Sequence, residues 1–368
     1  MRARLSASPI LDQVGFTRNL ESLFRQAWAA WCQQRQASDD HPDSLPGSDV
    51  ALQRARRALE AHRHDDALAL LTPILQQRPH WELAKRELVR ACLAWSRANP
   101  HCKAAWRMPF VALELRQKIS AIICSIRPDY FAAIKDKLTR QFARHDFEVI
   151  GIHDAKSLCE GYNRGAAAAS GDILIFCHDD IDTVHADFGE RLLHHLSTHD
   201  VVGVVGASRL VDGDWDHAGA PHVHGQIIHR PRPDSGNIYL AVGMQSPLIK
   251  NICALDGVFI ASRRCVWEAV RFDEKSFDGF HLYDIDFTWR AQLAGFRLVV
   301  ALDLLLIHFS TGRYDMQWQR FNVRFLQKFP QLSNQPSPFR NTSLHVKLKD
   351  LTEVERLHCG LLHHHFGV

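Results

Sequence analysis

Residues 171–182 read GDILIFCHDDID, an apolar run that breaks into His178, Asp179, Asp180 and Asp182. Burying such groups unpaired is costly, so a strand that ends in them implies a compensating charge. In an open α/β sheet, ligands lie outside the carboxyl ends of the strands. Carboxylates at that place can hold a hard divalent cation, which in turn neutralises a diphosphate. Taken alone, the acidic pair reads equally well as a surface turn capping the next helix. A second group follows it: Asp284 and Asp286 open a helical stretch, Gly295 ends it, and His308 closes the next apolar run.

The elements that must position these residues begin near 118, where short apolar runs alternate with helical stretches, the α/β pattern. Strands are expected over 121–126, 147–152, 172–177, 201–206, 257–262 and 296–301, with helices over 129–144, 157–169, 186–198, 263–270 and 284–295. Residues 211–250 are rich in Gly, Pro and His, and are expected to form a long substrate loop. Upstream, Leu20, Leu23, Phe24, Trp28 and Trp31 recur at helical spacing and predict an amphipathic helix over 10–36. Packing of Trp28 and Trp31 on neighbouring helices is the expected use of that face, with a lipid surface the alternative. The Asp-, Ser- and Pro-rich stretch 36–49 is a linker. Residues 50–79 resemble one tetratricopeptide repeat: Ala55 and Ala67 take the small positions, Leu71 and Ile74 the packing positions, and Pro79 closes the unit. One and a half repeats cannot bury their faces alone, so this unit must pack on the rest of the chain or on a partner. The resulting boundaries are 1–48, 49–112, 118–331 and 332–368, the last segment uninformative.

A formal charge of +3 over 368 residues, with no long block of one sign, argues against nucleic-acid binding. Nine cysteines without a C-x-x-C pair, and no secretory signal at the start, predict reduced thiols and a cytoplasmic protein. The longest apolar run, 296–309, is too short to span a bilayer and contains Asp303, so no transmembrane segment is expected. A peripheral place at the inner face of a membrane stays open through the first helix.

SAIICSIRP, GYNRGAAAASGDILIFCHDD, ALDGVFIASRR and FDGFHLYDIDFTWRAQLAGFRLV, in this order and separation, resemble the family 2 glycosyltransferases of the GT-A fold over about 118–330. Within that family the chain is most similar to a glycosyltransferase-like subgroup with histidine in the metal motif. The resemblance implies a mixed, mostly parallel α/β sheet flanked by helices, with an all-α region before it. It implies Asp180 as the last residue of the D-x-D metal motif, His178 in place of the first Asp, and His308 completing the site, with Mn²⁺ or Mg²⁺ bound. It assigns Ser125, Arg127, Asp154, Asn163, Arg164 and Asp179 to the nucleotide diphosphate sugar, Arg164 through a bidentate phosphate contact. Asp284 matches the general base of inverting members, which takes the proton of the acceptor hydroxyl. Tyr283 stands where many relatives have Glu. Asp256, His281 and Asp286 fall on the acceptor side.

The remaining signals carry less. Asp182 is expected to cap the helix at 186–198. Trp215, His217, His222, His224 and His229 lie in the variable substrate loop, and the four histidines lack a paired zinc spacing. QWQRF at 317–321 approximates a motif of processive polysaccharide synthases and reads as chance, since Phe321 replaces the tryptophan. The expected activity is metal-dependent, inverting transfer of a sugar to a hydroxyl of a saccharide, lipid-linked or protein acceptor, in bacterial-type glycan or glycoconjugate synthesis. The competing reading is a degenerate domain that binds a protein partner through its N-terminal helices. A nucleotidyltransferase is disfavoured because CSIRPDYF carries no glycine-rich loop.

Overall fold

The computed structural model describes residues 48–100, 117–231, 236–312, 314–332 and 343–367. The helix expected at 10–36, with Trp28 and Trp31, lies outside them. The chain divides after Gln53 into two compact units, and everything below concerns residues 54–368, apart from the first turn of α1. Three helices come first: α1 (Ser48–Glu60), α2 (His64–Gln77) and α3 (Glu82–Ala98). Ala55, Ala67 and Leu71 are fully buried, as small and packing positions require.

The α/β region opens with β1 (Lys118–Cys124), α4 (Pro128–Gln141), β2 (Asp146–Ile152), α5 (Leu158–Ala168), β3 (Ile173–Cys177), β4 (Ile181–Thr183) and α6 (Phe188–Thr198). It continues with β5 (Val201–Gly203), β6 (Val205–Ala207), β7 (Val223–His229), β8 (Asn237–Ala241), β9 (Leu248–Ile252), β10 (Ala254–Leu255), β11 (Phe259–Arg263) and α7 (Arg264–Val270). After α8 (Tyr283–Leu293) come β12 (Leu298–Ala301), β13 (Leu306–His308), α9 (Met316–Lys328), β14 (Leu344–Leu348) and α10 (Leu351–Gly360).

One mixed sheet runs β2-β1-β3-β11-β5-β12-β9, with β2, β1 and β3 parallel and β11 antiparallel to β3. Every residue of β3 is buried, which is why Ile173, Leu174, Ile175 and Phe176 read as a continuous apolar run. Helix α5 lies tightly on β1: a Cβ at Gly165 would sit 2.3 Å from Cγ2 of Ile122. A second sheet runs β10-β6-β7-β13-β4, with β8 joining β7 to β14.

Three expectations are corrected. Residues 211–250 are not one loop: they supply β7, β8 and part of β9, because VHGQII and NIYLA are buried strands of the second sheet. Residues 201–206 are two strands meeting at Val204, each in a different sheet. Asp182 does not cap α6; it sits in β4 and pairs with Lys137 at 2.7 Å, while Asp187 takes the capping position.

The tail that carried no sequence signal covers the helical region. α10 packs on α3, Ser96 Oγ donates to the Arg356 carbonyl at 2.7 Å, and Trp95 stacks on His363 at 5.2 Å. Arg97 pairs with Glu353. The repeat-like helices thus bury their face on the chain itself. Leu357, fully buried in α10, is expected to cost about 2–5 kcal/mol when replaced by alanine. Urea unfolding of Leu357→Ala checks this; a loss under about 0.5 kcal/mol, an ordinary surface value, would show that α10 does not hold the fold.

Candidate active site

Two backbone ladders bring the site together. The parallel pairing of β1 with β3 aligns their carboxyl ends, so that Ser125 Oγ donates to Asp179 Oδ2 at 2.6 Å. The antiparallel pairing of β13 with β4 sets His308 opposite Ile181, next to Asp180, and the Phe309 N–H donates to the Asp180 carbonyl. His178, Asp180 and His308 therefore converge. His178 Nδ1 lies 3.4 Å from His308 Nε2 and 3.8 Å from Asp180 Oδ1, and His308 Nε2 lies 3.4 Å from Asp180 Oδ1.

The electrostatics of this trio follow from its geometry. Burial alone would raise the pKa of Asp180, but the hydrogen bond and charge of His308, with His178, hold it well below the usual carboxylate range. Burial, then His308, depresses His178 and keeps that imidazole neutral. Two imidazole nitrogens and a carboxylate oxygen, all within 4.8 Å of one another, make a donor set that suits a divalent cation. His178 Nε2 meets Tyr283 Oη at 2.9 Å, and Ser310 Oγ meets His308 Nε2 at 3.1 Å. The residues fit a metal, which they would hold through His178, Asp180 and His308.

A cavity of about 370 Å³ opens beside the trio, and its lining includes His178, His308, Asp256 and Asp284. Asp284 stands in the first turn of α8, where its Oδ2 accepts from the Gly257 N–H at 2.7 Å. Burial first, and the neighbouring charge of Asp256 second, push the Asp284 pKa up to about 7, against the backbone N–H groups of Ile285 and Gly257. Asp256 accepts from Trp215 Nε1 at 2.9 Å and from the Val258 N–H. His281 lines the same cavity and pairs with Asp315 at 3.3 Å.

Other expected site residues lie elsewhere. Asn163 does not face a diphosphate: it donates to the Phe272 carbonyl and Glu274, and accepts from Trp267 Nε1 and the Phe272 N–H. That uses the whole capacity of its amide. Asp286 is not on the acceptor side; it is fully buried between Arg290 at 2.8 Å and Lys328 at 2.5 Å. Arg164 and Asp154 pair with each other at 2.7 Å on the surface, and Arg127 is exposed over the Tyr130 ring. His217 pairs with Asp212, His222 and His224 approach Ser208, and His229 reaches the Ser310 carbonyl and lines the cavity with its ring 5.7 Å from that of His308.

The sequence missed several cavity residues. Phe280, Tyr314, Trp318 and, from the tail, His345 line the cavity, and Phe280 and Tyr314 are more than half exposed. Trp318 belongs to the QWQRF segment set aside as chance; its aromatic neighbours in sequence were the available signal. Tyr283 was noted only as a departure from the family pattern, while its hydroxyl touches His178.

A family model described as "Glycosyltransferase like family" matches residues 120–328, more than half of the chain. The chain belongs to this family, and the class of protein that fold and site define is a glycosyltransferase. Among solved structures it is similar to a mannosyltransferase from Pyrobaculum calidifontis in complex with GDP-Man and Mn²⁺, at 12% identity and a TM-score of 0.39, over 80% of this chain and 81% of that one. It is also similar to A197 from STIV, at 12% identity and a TM-score of 0.32, over 52% and 85% of the two chains. A third likeness is to GalNAc-T7 with UDP, GalNAc and Mn²⁺, at 11% identity and a TM-score of 0.33, over 66% and 54%. No curated protein sequence matches significantly.

If the trio binds a cation, Mn²⁺ at about 100 times its Kd is expected to stabilise the fold by roughly 2.7 kcal/mol. Differential scanning calorimetry with Mn²⁺ and with EDTA measures it. Asp180→Ala should abolish the gain; an equal gain in that variant would place the cation elsewhere.

Proposed function

We propose that the chain transfers a sugar from a nucleotide diphosphate donor to an acceptor hydroxyl with inversion at the anomeric carbon. The observation that carries this reading is a cavity lined both by His178 and His308 of the trio and by the half-buried Asp284. Leaving-group and base functions would then border one space where a sugar would react.

A divalent cation held by His178, Asp180 and His308 would offset the negative charge that develops on the departing diphosphate. Ser125 and Asp179 hold the carboxyl ends of β1 and β3 together beside it and would contact the nucleotide. Asp284 accepts the proton of the acceptor hydroxyl as its oxygen attacks the anomeric carbon; the bond from that carbon to the diphosphate oxygen breaks, and the diphosphate leaves with the electron pair. A base with a pKa near 7 combines a useful deprotonated fraction with enough basicity to share that proton. The Gly257 N–H aims the carboxylate, and the Asp256 charge keeps it basic.

The acceptor end of the cavity would be formed by Trp215, Phe280, Tyr314 and Trp318 together with Asp214 and Asp216, and among the described residues its lining includes neither lysine nor arginine. Aromatic faces suit the C–H faces of a pyranose, and the carboxylates accept from hydroxyls. A neutral saccharide fits such a wall.

Asp284→Asn is expected to lower kcat by about 10²–10⁴-fold, with fold and donor binding retained. In the natural chain kcat should rise with pH through about 7, because the base must be deprotonated to act. Asp256→Asn removes the second cause of the raised pKa and should move that limb to lower pH. Rates of nucleoside diphosphate release from UDP-, GDP- and dTDP-sugars over pH 5–9 test both, and a full rate in Asp284→Asn would rule out its role as base. Trp318→Ala should raise KM for a saccharide acceptor by about 10-fold or more, an aromatic contact being worth roughly 0.5–1.5 kcal/mol beyond its buried area. Initial rates against acceptor concentration measure this, and an unchanged KM would remove the aromatic wall from acceptor binding.

A further inference from the structure

His178, in place of the first Asp of a D-x-D motif, and Tyr283, just before Asp284, are in contact. Tyr283 Oη lies 2.9 Å from His178 Nε2 across 105 residues of sequence. The opposite ring nitrogen, Nδ1, is the atom that approaches His308 Nε2 and Asp180 Oδ1. An aspartate presents equivalent oxygens to a cation. An imidazole does not: only the nitrogen without a proton can ligate, and the other must then carry it.

We propose that Tyr283 is the positioning residue of the metal site, its hydroxyl accepting from the Nε2–H of His178 and so fixing the tautomer whose Nδ1 lone pair faces Asp180 and His308. The inference rests on the reading of His178, Asp180 and His308 as cation ligands.

Three observations hold the tyrosine to this task. Its side chain is buried, 4% exposed, with the ring 5.6 Å from Tyr162 and 6.4 Å from Phe272, so the hydroxyl has little freedom to turn elsewhere. The backbone has been cleared for it: a Cβ at Gly257 would lie 2.1 Å from Oη, so only glycine admits the hydroxyl at this place. Burial keeps the phenol protonated, its pKa well above the ordinary value, so the contact is made by a neutral hydroxyl that adds no charge to the site. Tyr283 also precedes Asp284 at the start of α8, so one helical turn carries both the cavity-lining carboxylate and the hydroxyl that meets His178. Partners that orient a ligating histidine are worth about 10–100-fold in metal affinity when removed.

The test is a double-mutant cycle on Mn²⁺ affinity, read from the electron paramagnetic resonance signal of free Mn²⁺ and therefore independent of turnover. The natural chain, Tyr283→Phe, His178→Asp and the double variant are compared. Tyr283→Phe should weaken Mn²⁺ binding about 10-fold or more, whereas in the His178→Asp background the same change should have little effect, because aspartate has no tautomer to fix. Long-range ¹⁵N–¹H spectra of the natural chain saturated with Mg²⁺, with the His178 signal identified by its loss in His178→Asp, should show the proton on Nε2. An equal loss in both backgrounds would make Tyr283 a packing residue only. Unchanged affinity in Tyr283→Phe, or a proton on Nδ1, would also overturn the inference. Absence of Mn²⁺ binding in the natural chain would instead overturn the metal-site reading itself.

Discussion

The site depends on one stretch of backbone pairing, the antiparallel ladder between residues 181–183 and 306–308. Neither strand is long enough to matter much for stability. Their register, however, decides whether His308 stands beside Asp180 or one residue away, and a one-residue slip would turn the imidazole to the opposite face. The same strand, 306–308, is paired on its other side with 223–229, so the register is held from both edges. A short ladder locked between two partners can hold three ligand atoms within a few ångströms without a covalent link between distant parts of the chain.

How much of this was legible in the sequence follows from the range of the interactions. The run at 173–177 and its acidic end could be read because burial on both faces gives an unbroken apolar stretch that local composition records. Asp284, expected as the base, lines the cavity, whereas Asp286, expected on the acceptor side, is buried between Arg290 and Lys328. A helix turns by about 100° per residue, so two residues apart face nearly opposite ways, and only one of the pair can line a cavity. That argument was available from spacing alone. Asn163 was a different matter: its four hydrogen bonds go to Trp267, Phe272 and Glu274, about a hundred residues away, and no local pattern records them.

The second sheet escaped the sequence for a related reason. Its strands are short, mostly five to seven residues in the segment taken for a loop, and are interrupted by Gly, Pro and His. Residues 237–241 find their partner only at 344–348, in a tail whose composition announces nothing. Aromatic residues that line the acceptor end of the cavity arrive from this side of the molecule and from the helix at 316–328. The polar trio thus joins the two sheets, His178 following 173–177 of the first and His308 ending 306–308 of the second, while much of the cavity wall comes from segments with weak local signatures.

The docking of residues 351–366 on the helix at 82–98 ties the completion of the fold to the order of synthesis. The helical region is made before the segment that covers its apolar side, 260 residues separating Ser96 from Arg356. Until these emerge, Trp95 and its neighbours remain accessible, a long-range closure that favours aggregation of incomplete chains. A chain cut short before residue 351 would retain an exposed aromatic face that quality control can recognise.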